Sequence, residues 1–391
     1  MFMRIMHTSD WHIGKKLEER VRIAEQKAVL DSLVGIVKSE AVDLVIVSGD
    51  VFDTFTPSAE AENVFYDVLS SLTGAGAMVV IISGNHDDPT RLTAAKSVTI
   101  GSGVFFSDGE KFDDVKKADR ISALYGDKNY VVFEDDKGEK LYVAMLPYPT
   151  EARMKEAADD SETYEDKIKR YIKDATAANV DSLPCVLAAH IFMLGGVGTS
   201  SERPIELGGA RMVSKTAIPE SIIYTALGHL HKRQVVDKDR NIVYSGSILQ
   251  NAFDECGYKK SVTLFDVVGG KVENLREVEL EGYCKLEKVS ASGFDDAMKA
   301  LTAYPDSYVE LTLYLKEPLT GEMAKTLVNT YPKVFIRTHI ETGEITYGSR
   351  KLMEPEQLFT SFYNSTYGAD PEKAVLELFL RLISEIDEVD A

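Results

Sequence analysis

The chain has 391 residues, of which 44% are hydrophobic and 27% charged, and its formal net charge is −19. That length allows two or three domains, and the composition is that of a globular protein, not a fibrous or disordered one. The acidity argues against a protein that coats nucleic acid with its whole surface, because phosphate contacts need Lys and Arg. It leaves room for a nuclease, since a site is local and a metal centre can supply positive charge.

The opening residues, MFMRIMHTSDW, contain no apolar h-region and no small-residue cleavage site, so no signal peptide is expected. Runs such as LVIV and MVVII are too short to span a bilayer, and a cytoplasmic location is expected. Cys185, Cys256 and Cys284 are far apart and form no C-x-x-C pair. They read as reduced packing residues.

In chain order, Met3–His7 is a strand candidate, followed by a helix with Ala28, Leu33, Val34 and Val37 on its apolar face. Leu44–Val47 is a buried strand. A helix through Val64, Phe65, Val68, Leu69 and Leu72 and a strand at Met78–Ile82 follow. This βαβαβ order predicts parallel strands covered by helices. Residues near 121–148 read as antiparallel strands around the turn DDKG. A charged helix is expected around 160–178. Strands follow in CVLAAHIF, IIYTALGHLH, NIVYSGS, KSVTLFDVV and KVENLREVEL. The whole predicts an α/β fold: a sandwich of two mixed sheets with outer helices, spanning residues 1–282.

The texture then changes. Residues 283–345 read as a compact α+β unit without a chemical motif. From about Glu354 two short amphipathic helices are expected, one with Leu358, Phe359, Phe362 and Tyr363 on a face. The other carries Val375, Phe379, Leu382, Ile383 and Ile386. Residues 346–391 thus form a third segment, able to pack on its own domain or on a partner's helices.

The chemistry sits at strand ends. SDWH supplies Asp10 and His12, SGDVFD supplies Asp50 and Asp53, and SGNHDD supplies Asn85, His86 and Asp87. AAHIF supplies His190, and LGHLH supplies His229 and His231. Any one of these could be a polar turn. Together they hold five of the seven histidines, and parallel α/β sheets build sites at the carboxyl ends of their strands. His7 and His339 lie inside strand candidates and read as structural. Asp, His and Asn without Cys suit Mn²⁺, Fe²⁺, Zn²⁺ or Mg²⁺. Asp10-x-His12 and His229-x-His231 have the spacing that turns two side chains to one side of an extended segment. The donors suffice for two ions, most simply bridged by Asp50, and two ions can clamp an in-line phosphoryl displacement.

As an ordered set, Asp10-x-His12, Gly49-Asp50, Gly84-Asn85-His86-Asp87, His190 and Gly228-His229-x-His231 resembles the calcineurin-like metallophosphoesterase pattern. With HTSDWHIGK, SGDVFDT, SGNHDDP, SSERPIELGG and ALGHLHKRQ, the resemblance narrows to the SbcD family, the nuclease subunits of bacterial SbcCD complexes, and covers essentially the whole chain. That resemblance implies a four-layer α-β-β-α sandwich with a capping domain and C-terminal helices. It implies Asp10, His12, Asp50 and His231 on one Mn²⁺ and Asp50, Asn85, His190 and His229 on a second. His86 would stabilise the transition state and protonate the leaving oxygen, with Asp87 orienting it through its other ring nitrogen.

The resemblance further implies ATP-dependent 3′→5′ exonuclease action on double-stranded ends and endonuclease cutting of single strands and hairpins. The partner would be SbcC, an SMC-like ATPase with a coiled coil, docked on residues 354–389. A homodimer within a heterotetramer and work at the nucleoid are implied likewise. No nucleotide is expected on this chain, which has no G-x-x-x-x-G-K-[ST] loop. Two departures stand out: Asp53 where some relatives carry histidine, and Ile248 where proline usually follows SGS. Lys15, Lys16, Arg20 and Arg22 after the first motif, and Lys232 and Arg233 after the last, are candidates to grip DNA phosphates, or form solvated charged faces. A phosphoesterase for small substrates would use the same metals. The long region beyond the core argues against it.

Overall fold

A computed structural model describes residues 2–94, 99–150, 162–202 and 212–340, with scattered positions between 359 and 379. In chain order it places β1 (Met3–Thr8), a hairpin of β2 (Lys16–Leu17) and β3 (Arg20–Val21), α1 (Ile23–Glu40) and β4 (Leu44–Ser48). Next come α2 (Ala59–Gly74), β5 (Met78–Ile82), β6 (Val104–Phe106), β7 (Lys116–Lys117), β8 (Ile121–Asp127), β9 (Tyr130–Asp135) and β10 (Lys140–Leu146). A helix at Tyr164–Thr176 leads to β11 (Cys185–His190), β12 (Ile222–Gly228), β13 (Gln234–Asp237), β14 (Ile242–Tyr244), β15 (Ser261–Val268) and β16 (Lys271–Glu279). The last elements are β17 (Leu286–Ser292), a helix Phe294–Leu301, β18 (Tyr308–Leu315), a helix Gly321–Thr330 and β19 (Val334–Ile340).

Two mixed sheets form the sandwich, in the orders β16-β15-β1-β4-β5-β6 and β13-β14-β12-β11-β10-β9-β8-β7. Strands β4 and β5 are buried along their whole length because both faces are covered, which is why LVIVS and MVVII show no alternation. Leu33, Val37, Phe65 and Leu72 of α1 and α2 pack with Val45 and Val79 on the outer face of the first sheet. Ile46, Val80, Phe133, Val143 and Phe265 fill the space between the sheets. Ile168 and Ile172 of the helix Tyr164–Thr176 cover the outer face of the second sheet. These three apolar layers make the four-layer α-β-β-α architecture, with full burial of each such side chain worth about 1.5–3 kcal/mol. Ser58 caps α2 by accepting from Ala61 N–H, and Thr163 forms a capping box with Asp166.

Register brings the strand ends together. β1 runs parallel to β4 (His7 opposite Ile46), β4 parallel to β5 (Ser48 opposite Ile82), and β11 parallel to β12 (His190 opposite Gly228). Five strands were missing from the sequence reading: β2, β3 and β7 have two residues each, β6 three and β13 four, too short for a period to show. His7 is buried on β1 and pairs with the Tyr224 hydroxyl and the Leu227 carbonyl, a structural role as expected. His339 lies on β19 and stacks on Tyr314. The three cysteines are free.

The chain divides into two compact units: Met1–Tyr314 with Leu319–His339, and Leu315–Pro318 with Ile340–Ala391. Within the first, β17, β18 and β19 form a separate three-stranded sheet. This α+β element packs on the sandwich through Phe253 against Phe335, Arg22 over Tyr308 and the Gln250 side chain accepting from Leu286 N–H. In the second unit, Phe359 stacks on Phe379 with ring centroids 4.0 Å apart and lies 5.9 Å from Tyr363. Leu358, Phe362, Leu382, Ile383 and Ile386 lie outside the described residues. Among the described residues no helix is long and apolar enough to cross a membrane.

Candidate metal centre

Beyond β1 and β4 the two strands continue side by side. Asp10 N–H donates to the Gly49 carbonyl at 2.9 Å and His12 N–H to the Asp50 carbonyl at 3.0 Å. Asp10, His12 and Asp50 sit at φ of 51°, 44° and 50°, and His229 at 107°. A non-glycine residue in that region costs of order 1–3 kcal/mol, and here each such turn swings a polar side chain inward. Two glycines permit the close approach. A Cβ on Gly84 would stand 2.0 Å from Asp50 Oδ1, and one on Gly228 would stand 1.9 Å from the Ser48 carbonyl.

The predicted residues converge. His12 Nε2 lies 2.9 Å from His231 Nε2, and Asp10, His12 and His231 have ligand atoms within 4.8 Å of one another. Asn85 Oδ1 lies 2.9 Å from His190 Nε2 and 3.0 Å from His229 Nδ1. Asp50 joins the two groups: its Oδ2 lies 3.6 Å from His12 Nε2 and 3.5 Å from His190 Nε2, while its Oδ1 accepts from His86 N–H. Asp10, His12, Asp50 and His190 are 1% exposed or less.

Burial and the neighbouring Asp50 charge push the Asp10 carboxyl well up. Burial pushes His12 and His229 well down, and lowers His190 to about 4 against its hydrogen bond to the Ser48 carbonyl. Crowded carboxylates and buried imidazoles with facing nitrogens are mutually unfavourable alone and fit a divalent cation, which needs deprotonated donors. Oxygen and nitrogen without sulfur suit borderline to hard ions. The donor set therefore fits a dimetal site.

His86 stands against His12, ring centroids 4.7 Å apart, and within ligand range of His12 and Asp50. Its Nδ1 meets the Asp53 carbonyl at 2.7 Å. Asp87 is a correction. It does not orient the His86 ring; its carboxylate accepts from the N–H groups of Gly84, Val51 and Phe52. The family resemblance implied a pair, but Asp87 turns to the backbone and fastens the β5 loop to the β4 loop. Burial and Asp50 raise its carboxyl to about 6.

The candidate DNA contacts scatter. Lys15 pairs with Asp53 at 2.8 Å, Arg20 lies over the Phe335 ring, Lys232 lies over Tyr258 and Arg233 pairs with Glu277. Lys16 is exposed on β2. Arg22 is buried and pairs with Glu25, so it is no phosphate contact.

Asp53 was named from the sequence without a role, and further residues at the centre were not singled out. Asp53 Oδ1 lies 3.4 Å from His12 Nδ1, giving the residue whose role was open a place behind a histidine. Ser201, Glu202 and Glu255 surround His231. Tyr148 and Phe192 flank the His229 ring, 6.4 and 6.2 Å away. SSER belongs to a recognisable motif, but nothing in its spacing says which side chain it meets.

Residues 3–232 match the calcineurin-like phosphoesterase family. The chain is 35% identical to the SbcD subunit of nuclease SbcCD from Bacillus subtilis, over 100% of both chains. It is 34% identical to the corresponding SbcD protein of Rhodobacter capsulatus, over 68% of this chain and 67% of that one. Among solved structures, a dimetal phosphatase from Danio rerio superposes with a TM-score of 0.43 at 10% identity, covering 72% of this chain and 96% of that one, too loosely to add to the argument. The chain belongs to the calcineurin-like phosphoesterases, as a metal-dependent phosphodiester hydrolase of the SbcD family.

Proposed function

We propose that this chain is the nuclease subunit of an SbcCD-type complex and cuts DNA phosphodiesters with two Mn²⁺ ions. The observation that carries the reading is Asp50, whose Oδ2 stands between the His12/His231 group and the His190/Asn85 group. Asp10, His12, Asp50 and His231 would hold one ion, and Asp50, Asn85, His190 and His229 the other. When bound, such ions ease deprotonation of the attacking water and offset the phosphate's charge. His86 supplies a proton. The Asp53 carbonyl can only accept, so Nδ1 is protonated, and Nε2 of the imidazolium is the group that gives a proton to the leaving oxygen. Asp87 holds that loop in place through the backbone.

The full-length identity to an SbcD protein supports an SMC-like ATPase of the SbcC type as partner. The activities proposed are ATP-dependent 3′→5′ exonuclease on double-stranded ends and endonuclease on single strands and hairpins, in DNA repair, recombination and replication. ATP would act on the partner. Residues 1–282 would form the nuclease domain, 283–345 a cap over its cleft, and 346–391 the docking segment. The chain would work as a homodimer within a heterotetramer, at the nucleoid. Cleavage of an end-labelled hairpin, with Mn²⁺ or Mg²⁺ and with or without the ATPase and ATP, tests this. Mn²⁺-dependent cutting whose products change with the partner is expected. Absence of DNA cutting beside turnover of a small phosphodiester would replace the nuclease by a small-substrate enzyme.

A further inference from the structure

Behind His231 lies a buried chain of polar groups that the reaction itself does not use. Lys260, with its side chain 2% exposed, donates to Glu255 Oε2 at 2.5 Å, to Ser247 Oγ at 2.8 Å and to the His231 carbonyl at 3.0 Å. All three ammonium protons are thereby placed. Glu255, 0% exposed, turns its other oxygen to Ser201 Oγ at 2.6 Å and to Asn251 N–H at 3.1 Å. Ser201 Oγ in turn contacts His231 Nδ1. Glu202 Oε1 accepts from His231 N–H at 2.8 Å.

Counting protons leaves one arrangement. A carboxylate paired with an ammonium only accepts, so the single Ser201 hydroxyl proton goes to Glu255. Thr199 Oγ1, also 2.9 Å from Ser201 Oγ, gives its own proton to Glu202 Oε2 at 2.8 Å and does not need Ser201's. The Ser201 oxygen can then meet His231 Nδ1 only by accepting from it. With Nδ1 protonated, the neutral ring leaves Nε2 bare, and Nε2 is the atom that faces His12 Nε2. The other histidines are held differently: His190 Nδ1 meets a backbone carbonyl, and His229 lies between Tyr148 and Phe192.

We propose that Ser201, Glu255 and Lys260 are positioning residues that lock His231 in the tautomer that binds metal, and so govern the affinity of one of the two cation sites without touching the other. The proposal rests on the assignment of His231 as a ligand. Partners of this kind behind a ligating histidine are worth roughly 10–100-fold in metal affinity.

The test is a titration of the metal-free full-length chain with Mn²⁺, following free ion by electron paramagnetic resonance, beside His231→Ala, Ser201→Ala and Glu255→Gln. Wild type is expected to take up two ions. Ser201→Ala and Glu255→Gln are expected to weaken one of them roughly 10–100-fold, the same one that His231→Ala removes, and leave the other unchanged. Ser201→Thr, which keeps the hydroxyl, is expected to restore wild-type binding. In the metal-free protein, ¹⁵N spectra are expected to show His231 protonated at Nδ1, and at Nε2 in Ser201→Ala. Loss of one ion in His231→Ala with both retained at full affinity in Ser201→Ala would overturn the relay alone. Two unchanged ions in His231→Ala would overturn the ligand assignment, and the relay with it. Because Glu255→Gln strands a buried ammonium, Glu255→Gln/Lys260→Met serves as its folding control, and the same selective weakening is expected there.

Discussion

The strand-end cluster and the three-stranded α+β element obey opposite rules. Around Asp50 the chain buries carboxylates and imidazoles, holds four of them at positive φ and lets glycines bring backbones into contact. The α+β element instead buries Leu286, Leu311, Leu313 and Leu327 and gathers no comparable cluster among its described residues. The first region uses stability that the three apolar layers supply; the second adds ordinary core. Chemistry and shape are thus carried by different parts of one chain, and substitutions in each should fail in different ways.

Asp50→Ala should have the largest effect. Metal analysis is expected to find both ions lost together and cutting below detection; loss of a single ion would make Asp50 a terminal ligand and remove the bridge. His86→Gln comes next. Cleavage is expected to fall by roughly 10²–10⁴-fold with both ions retained. Loss of an ion in that variant would turn His86 from acid to ligand.

Phe335→Ala probes the other region. It removes the contacts to Phe253 and Arg20 and should cost about 3 kcal/mol in denaturant unfolding. Turnover of a small phosphodiester should change little. A loss as large as that of His86→Gln would erase the contrast between the regions. Lys16→Ala should do least. If this exposed lysine meets a phosphate, DNA affinity falls a few-fold and the salt dependence of binding drops by about one ion. An unchanged salt slope would leave it a solvated surface group.

What could be read from the sequence follows from the range of the forces involved. Asp10, His12, Asp50, Asn85, His190, His229 and His231 were legible because each closes a buried apolar strand, and parallel register does the rest. The sandwich was legible for the same reason. Asp87 was misplaced because its partners are the N–H groups of Val51 and Phe52, 36 and 35 residues away, and not its neighbour. Asp53, Ser201, Glu255 and Lys260 had no periodicity to betray them; their meaning lies in tertiary contacts with His12 and His231. β2, β3, β6, β7 and β13 were lost to brevity.

The first sheet closes on β1 only when β15 arrives to pair with it, Met3 opposite Val267. His12 and His231, 219 residues apart, meet later than either is made. At roughly 5–20 residues per second, a ribosome needs on the order of 10–45 s to bridge that gap. Within that interval Asp50, Asn85 and His190 are added in turn, but neither group is complete before His229 and His231 are made. The emerging polypeptide therefore lacks a complete donor set until His231 has been made, roughly three fifths of the way along the 391 residues.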